Sequence, residues 1–223
     1  IDGGSTAACG GLSLSASTTT FTCADLGANN VTLTATDGGG NTDDCVAVVT
    51  VADTISPTPD AAALADITGE CEVTSLTPPT GTDNCGTVTV TNDATLPIST
   101  QGTTVVTWTF DDGNGNTATQ TQLVILSDQS SPLPTAAPLP DVIGECSVDV
   151  MPAAPVAIDA CAGSITGVMT TAVTFPVTTQ GTTIITWEFD DGNGNITTQS
   201  QNIIVNDVTG PAPDAATLLD LTG

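Results

Sequence analysis

Oxygen-bearing side chains at short, regular spacing are the most reactive-looking feature of this chain. Asp111-Asp112-Gly113-Asn114-Gly115-Asn116 recurs unchanged as Asp190-Asp191-Gly192-Asn193-Gly194-Asn195. Alternation of Asp112, Asn114 and Asn116, and of Asp191, Asn193 and Asn195, matches the opening of a calcium loop, where oxygen ligands alternate with spacers. The same segment is a strong hairpin-turn signal, because Asn-Gly favours the tight turns that join two strands. The twelfth position counted from Asp112 is Leu123, where a calcium loop would carry Glu. Both readings stand on the residues alone. A second set of carboxylates lies between repeats: Asp53, Asp60 and Asp66, then Asp128 and Asp141, then Asp207, Asp214 and Asp220. These are either solvated linker charge or junction sites for Ca2+. No cofactor is otherwise required.

Other chemistry has little to work with. The 223 residues contain no Lys, Arg, His or Tyr and 25 Asp plus Glu, for a formal charge of −25. Phosphate clamps and nucleic-acid binding need cations, so both are excluded as roles of this segment. Acid–base catalysis lacks His, Lys and Tyr. The paired carboxylates Asp111 and Asp112 are neighbours on a strand end and point to opposite faces, which does not suit glycoside cleavage. The chain is therefore read as non-enzymatic. No apolar run reaches membrane-spanning length, so no direct membrane insertion is expected in this segment.

Positive mean hydropathy (+0.22) separates the chain from disordered acidic sequences and allows a buried core. Val- and Thr-rich runs cut by Gly, Asn, Asp and Pro read as short strands. Those runs repeat. Gly69-Glu70-Cys71 returns as Gly144-Glu145-Cys146, and Asp83-Asn84-Cys85 as Asp159-Ala160-Cys161. Thr100-Gln101-Gly102-Thr103-Thr104 through Trp108 returns as Thr179 through Trp187. The frame extends backwards, with Asp37-Gly38-Gly39-Gly40-Asn41 aligned on Asp112 to Asn116. The expected organisation is 1–53, the C-terminal part of one repeat; 54–131 and 132–210, two whole repeats; and 211–223, the start of another. Each repeat ends in a hairpin whose first arm puts Val106, Trp108 and Phe110 on one face, read as inward. The phase of the return arm is open, because Gln120 and Gln122 interrupt it. Trp108 and Trp187 are read as core residues rather than sugar platforms. The fold class is all-β: tandem immunoglobulin-like β-sandwich repeats in an elongated array.

Seven cysteines fit this frame. Cys71 and Cys85 sit at the same two places in their repeat as Cys146 and Cys161 in the next, so repeat equivalence predicts Cys71–Cys85 and Cys146–Cys161. Cys23 and Cys45 flank the first hairpin and are expected to pair. Cys9 occupies the second place in its repeat and is expected to have no partner within the chain. Disulfides imply an oxidising, extracytoplasmic setting.

The Asp-Asn-Cys turn, the Gln-Gly-Thr-Thr-Val-Val-Thr-Trp strand and the Asp-Gly-Asn-Gly-Asn hairpin resemble hyalin-repeat (HYR) domains. Gly-Glu-Cys, Thr-Gln-Gly-Thr-Thr and Trp-Thr-Phe-Asp-Asp-Gly-Asn-Gly-Asn resemble the tandem repeats of SprB-type gliding-motility adhesins of Bacteroidetes, over nearly all of residues 54–223. The first repeat resembles a different HYR subtype, with Phe21-Thr22-Cys23 and Gly40-Asn41. The resemblance implies a very large adhesin exported by type IX secretion, held at the outer membrane and moved by a gliding machinery. Its expected partners are neighbouring repeats of the same chain, and surface polysaccharide or other cell-surface proteins. Asp53-Thr54-Ile55 resembles a Bacteroidetes O-glycosylation motif, with Thr54 as acceptor. The expected function is that of a stalk segment in surface adhesion; the alternative is a module that itself binds carbohydrate or a protein partner.

Overall fold

A computed structural model describes residues 3–8 and 10–212 of the chain. These residues fold as tandem immunoglobulin-like β-sandwiches, with 45% of residues in strands and 1% helical. Contacts divide the chain into two compact units. The first comprises 1–67, 73–98 and 103–125; the second comprises 68–72, 99–102 and 126–223. Segments 68–72 and 99–102 thus cluster with the chain after residue 125.

In the first unit, β1 (Ser13–Ala16), β2 (Gly27–Thr36) and β3 (Thr42–Val51) form an antiparallel sheet in that order. A single 3-10 turn, Cys23–Asp25, precedes β2 and is capped by Thr22, whose backbone N–H donates to Asp25. Val31 and Leu33 face inward from β2. Next come β4 (Thr58–Pro59), β5 (Ile67–Gly69), β6 (Gly81–Thr82), β7 (Thr89–Asn92), β8 (Gly102–Asp111) and β9 (Thr117–Leu126). β4 pairs with β6, and the other four form a sheet in the order β5-β9-β8-β7.

Alternation along β8 has the expected phase: Val106, Trp108 and Phe110 are fully buried while Val105 is 55% exposed. Burying one such large side chain stabilises by about 1.5–3 kcal/mol. The core tolerates no side chain at position 81, where a Cβ would lie 2.8 Å from the Phe110 ring. Interruption of the return arm by glutamine has a polar cause. Gln122 Oε1 accepts from the Trp108 indole N–H at 3.0 Å, and its Nε2 donates to the Ala65 carbonyl at 2.8 Å. Gln120 donates to the Ala61 carbonyl at 2.7 Å. Each glutamine therefore pins the strand-poor lead-in of its repeat to the sheet.

The second unit repeats the plan. β10 (Leu133–Pro134), β12 (Val156–Asp159) and β13 (Gly163–Thr166) form one sheet. β11 (Val142–Gly144), β14 (Val168–Met169), β15 (Gly181–Asp190) and β16 (Ile196–Val205) form the other, in the order β11-β16-β15-β14. β11 runs parallel to β16, whereas β15 and β16 are an antiparallel hairpin. Ala157, Ile185, Trp187, Phe189, Ile203 and Val205 make the core. Gln201 holds the Trp187 indole and the Pro140 carbonyl as Gln122 holds their counterparts.

Candidate functional site

The cysteines assemble differently from the expected pattern. Cys23 bonds to Cys85, and Cys71 bonds to Cys161, with Cα atoms 5.1 and 4.8 Å apart. Cys45 and Cys146 carry free, exposed thiols, and Cys9 lies outside the described residues. Expected pairs Cys71–Cys85, Cys146–Cys161 and Cys23–Cys45 are thus corrected, and strand register gives the reason. Gly144 pairs with Val205, which pairs with Gly181 at the start of β15, so Cys146 follows that end of the sheet. Cys161 lies beside Asp191 and Asn193, beyond the other end of β15. Ten residues of strand span roughly 30 Å, far beyond the limit of about 7 Å between bonded cysteine Cα atoms. Cys45 likewise sits opposite Leu33 in mid-hairpin, whereas Cys23 precedes Gly27, which pairs with Val51 at the hairpin's open end. The two cysteine places of one repeat, Cys146 and Cys161, lie at opposite ends of its sandwich. Cys71, at the first place of one repeat, meets Cys161, at the second place of the next.

Carboxylates gather beside these bonds. At the junction between the first two repeats, Asp53, Asp83 and Asp112 each bring one oxygen within 4.8 Å of the others. Asp112 is buried. Its Oδ1 accepts from the N–H of Asn114 (2.7 Å) and of Asn116 (3.0 Å), and its Oδ2 from the Asn116 amide at 2.7 Å. Burial pushes the Asp112 carboxyl up, but the Asn116 side chain and the N–H groups of Asn114, Asn116 and Gly115 outweigh it and hold the pKa below the ordinary 3.8. Asp83 Oδ2 accepts from the Cys85 N–H at 2.7 Å, while its Oδ1 is buried without a donor.

Next junction, same parts. Asp128, Asp159 and Cys161 lie together, with ligand atoms within 4.8 Å. Asp159 Oδ1 accepts from the N–H groups of Cys161 and Ala162, and its Oδ2 is buried without a donor. Asp191 takes the place of Asp112, accepting from Asn193 and Asn195.

The hairpin asparagines act as donors here. Asn114 Nδ2 donates to Asp53 (3.2 Å) and to the Cys85 carbonyl (2.8 Å), and Asn116 Nδ2 donates to the Asp53 carbonyl. Asn193 and Asn195 do the same to Asp128. Their N–H groups, rather than an alternating row of oxygens, face the acidic side chains. Asp60 and Asp66 are exposed and join neither cluster. Asp141 accepts from Asn202, and Asp207 accepts from the Thr209 N–H. Asp214 and Asp220 lie outside the described residues. Thr54 is exposed next to Asp53.

Reading the sequence missed Asp83 and Asp159 as cluster members, although the repeated Asp-x-Cys turn marked them. It also missed Gln101. Gln101 donates to the Glu70 carbonyl and accepts from the Asp128 N–H, and Glu70 accepts from Ser130 at 2.7 Å. Gln180 accepts from Asp207 in the same way, and Glu145 accepts from Thr209. The Thr-Gln-Gly-Thr-Thr and Gly-Glu-Cys signatures therefore fix the exit of each repeat.

The chain is similar to hyalin. Over 128 residues it is 36% identical to hyalin of Lytechinus variegatus, covering 53% of this chain and 23% of that protein. Over 211 residues it is 28% identical to hyalin of Strongylocentrotus purpuratus, covering 86% of this chain and 17% of that protein. The chain thus spans under a quarter of the length of these curated relatives. No protein-family model matches. Among solved structures, mouse cadherin-23 EC22-24 aligns with a TM-score of 0.36 and 14% identity, over 85% of this chain and 78% of that one. Drosophila N-cadherin EC1-4 aligns with a TM-score of 0.36 and 10% identity, over 81% and 58%.

Proposed function

We propose that this chain is a load-bearing segment of an extracellular, multi-repeat adhesive protein, and that its role is mechanical rather than catalytic. The observation that carries the reading is the overlap of the two disulfide loops, Cys23–Cys85 and Cys71–Cys161. Pulled from its ends, an unfolded chain would normally pay out the whole stretch from Cys23 to Cys161, with a reach of about 500 Å. With both bonds intact the tension runs from Cys23 to Cys85, back along the chain to Cys71, and across to Cys161. Only about 14 residues then lie in the load path, a reach of roughly 50 Å. Cross-links of this kind also require an oxidising compartment, which suits export to the cell surface.

Similarity to hyalin supports an adhesion-type repeat, and the resemblance of residues 54–223 to gliding-adhesin repeats supports a stalk in a Bacteroidetes surface adhesin carried by type IX secretion. The aromatic side chains give little to a sugar-binding module: Trp108, Trp187, Phe110 and Phe189 are buried. Force–extension measurement on single full-length chains tests the proposal. Adding a reductant should lengthen the fully stretched chain by about 450 Å. Equal extension with and without reductant would remove the load-bearing reading.

A further inference from the structure

We infer that the junctions bind divalent cations of the calcium class: one through Asp53, Asp83 and Asp112, and one through Asp128 and Asp159. The inference goes beyond the mechanical role and stands independently of it. Three carboxylate oxygens within 4.8 Å of one another match the span available around one Ca2+, since ligand bonds of about 2.4 Å allow oxygens to lie up to twice that apart. Magnesium, with bonds of about 2.0–2.1 Å and strict octahedral geometry, fits this spread less well.

Proximity of acids alone would not make a site. The decisive feature is the unpartnered oxygen. Asp159 is only 4% exposed, one oxygen takes two backbone N–H donors, and the other is buried with no donor at all. A buried charged acceptor without a partner costs more than a typical hydrogen bond returns. Asp83, its counterpart in the preceding repeat, has the same arrangement: one oxygen on the Cys85 N–H and one orphaned. The defect thus recurs at the same place in two junctions, next to the same acidic neighbour, Asp53 or Asp128. No cationic side chain of the protein can answer it, because the chain contains no Lys, Arg or His. A cation from solvent can. The Cys161 sulfur near the second cluster is tied in a disulfide and supplies no thiolate, so only oxygen ligands remain and a hard cation is selected. Three carboxylates at the first site against two at the second make the first the tighter, as affinity follows ligand charge.

Titration calorimetry of the oxidised full chain with calcium chloride at constant ionic strength provides the test. Expected are two saturable sites with Kd values of about 10⁻⁴–10⁻³ M, the range of extracellular modules. Asp83→Asn should abolish the tighter site and Asp159→Asn the weaker, each leaving one. Asparagine keeps an oxygen for the backbone donors, so folding should survive, as melting in chelator would verify. Asp60→Asn, at an exposed carboxylate outside both clusters, should leave both sites. Non-saturating binding, or two sites persisting in the Asp83→Asn/Asp159→Asn double variant, would overturn the inference. Should Asp83→Asn not fold, the loss of one site in Asp159→Asn and the wild-type stoichiometry decide it. A chain that fails to bind calcium but keeps its reductant-dependent extension would refute the cation sites and leave the load-bearing role intact.

Discussion

Cys71 and Cys161 are separated by 90 residues, yet their Cα atoms stand 4.8 Å apart, and the bond between them crosses a repeat boundary. Cys23 and Cys85 do the same one junction earlier. Each bond closes a long loop in the unfolded chain, which is the situation in which cross-linking restricts the denatured ensemble most.

Removing either bond should therefore be costly. Cys161→Ser is expected to lower unfolding stability by about 2–5 kcal/mol, read from denaturant midpoints under non-reducing conditions. Cys45→Ser, at an exposed free thiol, should change it by less than about 0.5 kcal/mol.

Gln201 is a second pressure point. It is 7% exposed and serves both the Trp187 indole and the Pro140 carbonyl. Gln201→Ala leaves a buried donor and a carbonyl without partners, at a cost of about 1–3 kcal/mol each when fully desolvated. Thermal melting of the variant should show a clear loss, and Gln201→Glu, which sets a buried carboxylate against the Pro140 carbonyl with no cation in the chain to pair it, should not restore the stability.

Acid should erase a specific contribution from Asp93. The N–H of Thr107, then its hydroxyl, hold the Asp93 carboxyl below the ordinary 3.8. A lowered folded pKa means that this stability is fully present above the unfolded value and is lost as pH falls through the folded one. Wild type should melt above Asp93→Ala at neutral pH, and the gap should close as pH falls below the ordinary carboxylate value of 3.8 and through the lowered folded one. A gap that stays constant into acid would show that the hydrogen bond does not depend on the charge.

Much of this was legible in the sequence, and the part that was not has a geometric cause. Alternation along Thr103–Phe110 placed Trp108 in the core because side-chain phase is a local property of a strand. The Asp-Gly-Asn-Gly-Asn segment read equally as turn or calcium loop. Its Asn amides proved to be donors that tie Asp53 and Asp128 in place, an orientation no one-dimensional spacing encodes. Pairing of cysteines depends on which end of a sandwich each reaches, and the recurrence of the same two places in each repeat hides this by making neighbours within a repeat look like partners. Gln120 and Gln122 looked like breaks in a pattern because their partners, the Ala61 and Ala65 carbonyls, lie in a remote segment with little strand signal.

Cys146 holds in its repeat the place that Cys71 holds in the preceding one, and its thiol is free and exposed. In a chain extended after residue 210 by a further copy of residues 132–210, Cys146 should bond to the copy's equivalent of Cys161. Maleimide labelling of Cys146, strong in the present chain, should then disappear under oxidising conditions and return with reductant. Persistent labelling would show that the cross-repeat pattern does not propagate.

Mapping the disulfides of the oxidised chain tests the central claim most directly. Trypsin has no site, since the sequence lacks Lys and Arg, so cleavage at Asp and Glu followed by non-reducing mass analysis is the suitable route. Peptides linking Cys23 to Cys85 and Cys71 to Cys161 are the predicted result. Peptides linking Cys71 to Cys85, or Cys146 to Cys161, would mean that each repeat closes on itself, and the covalent load path across junctions would not exist.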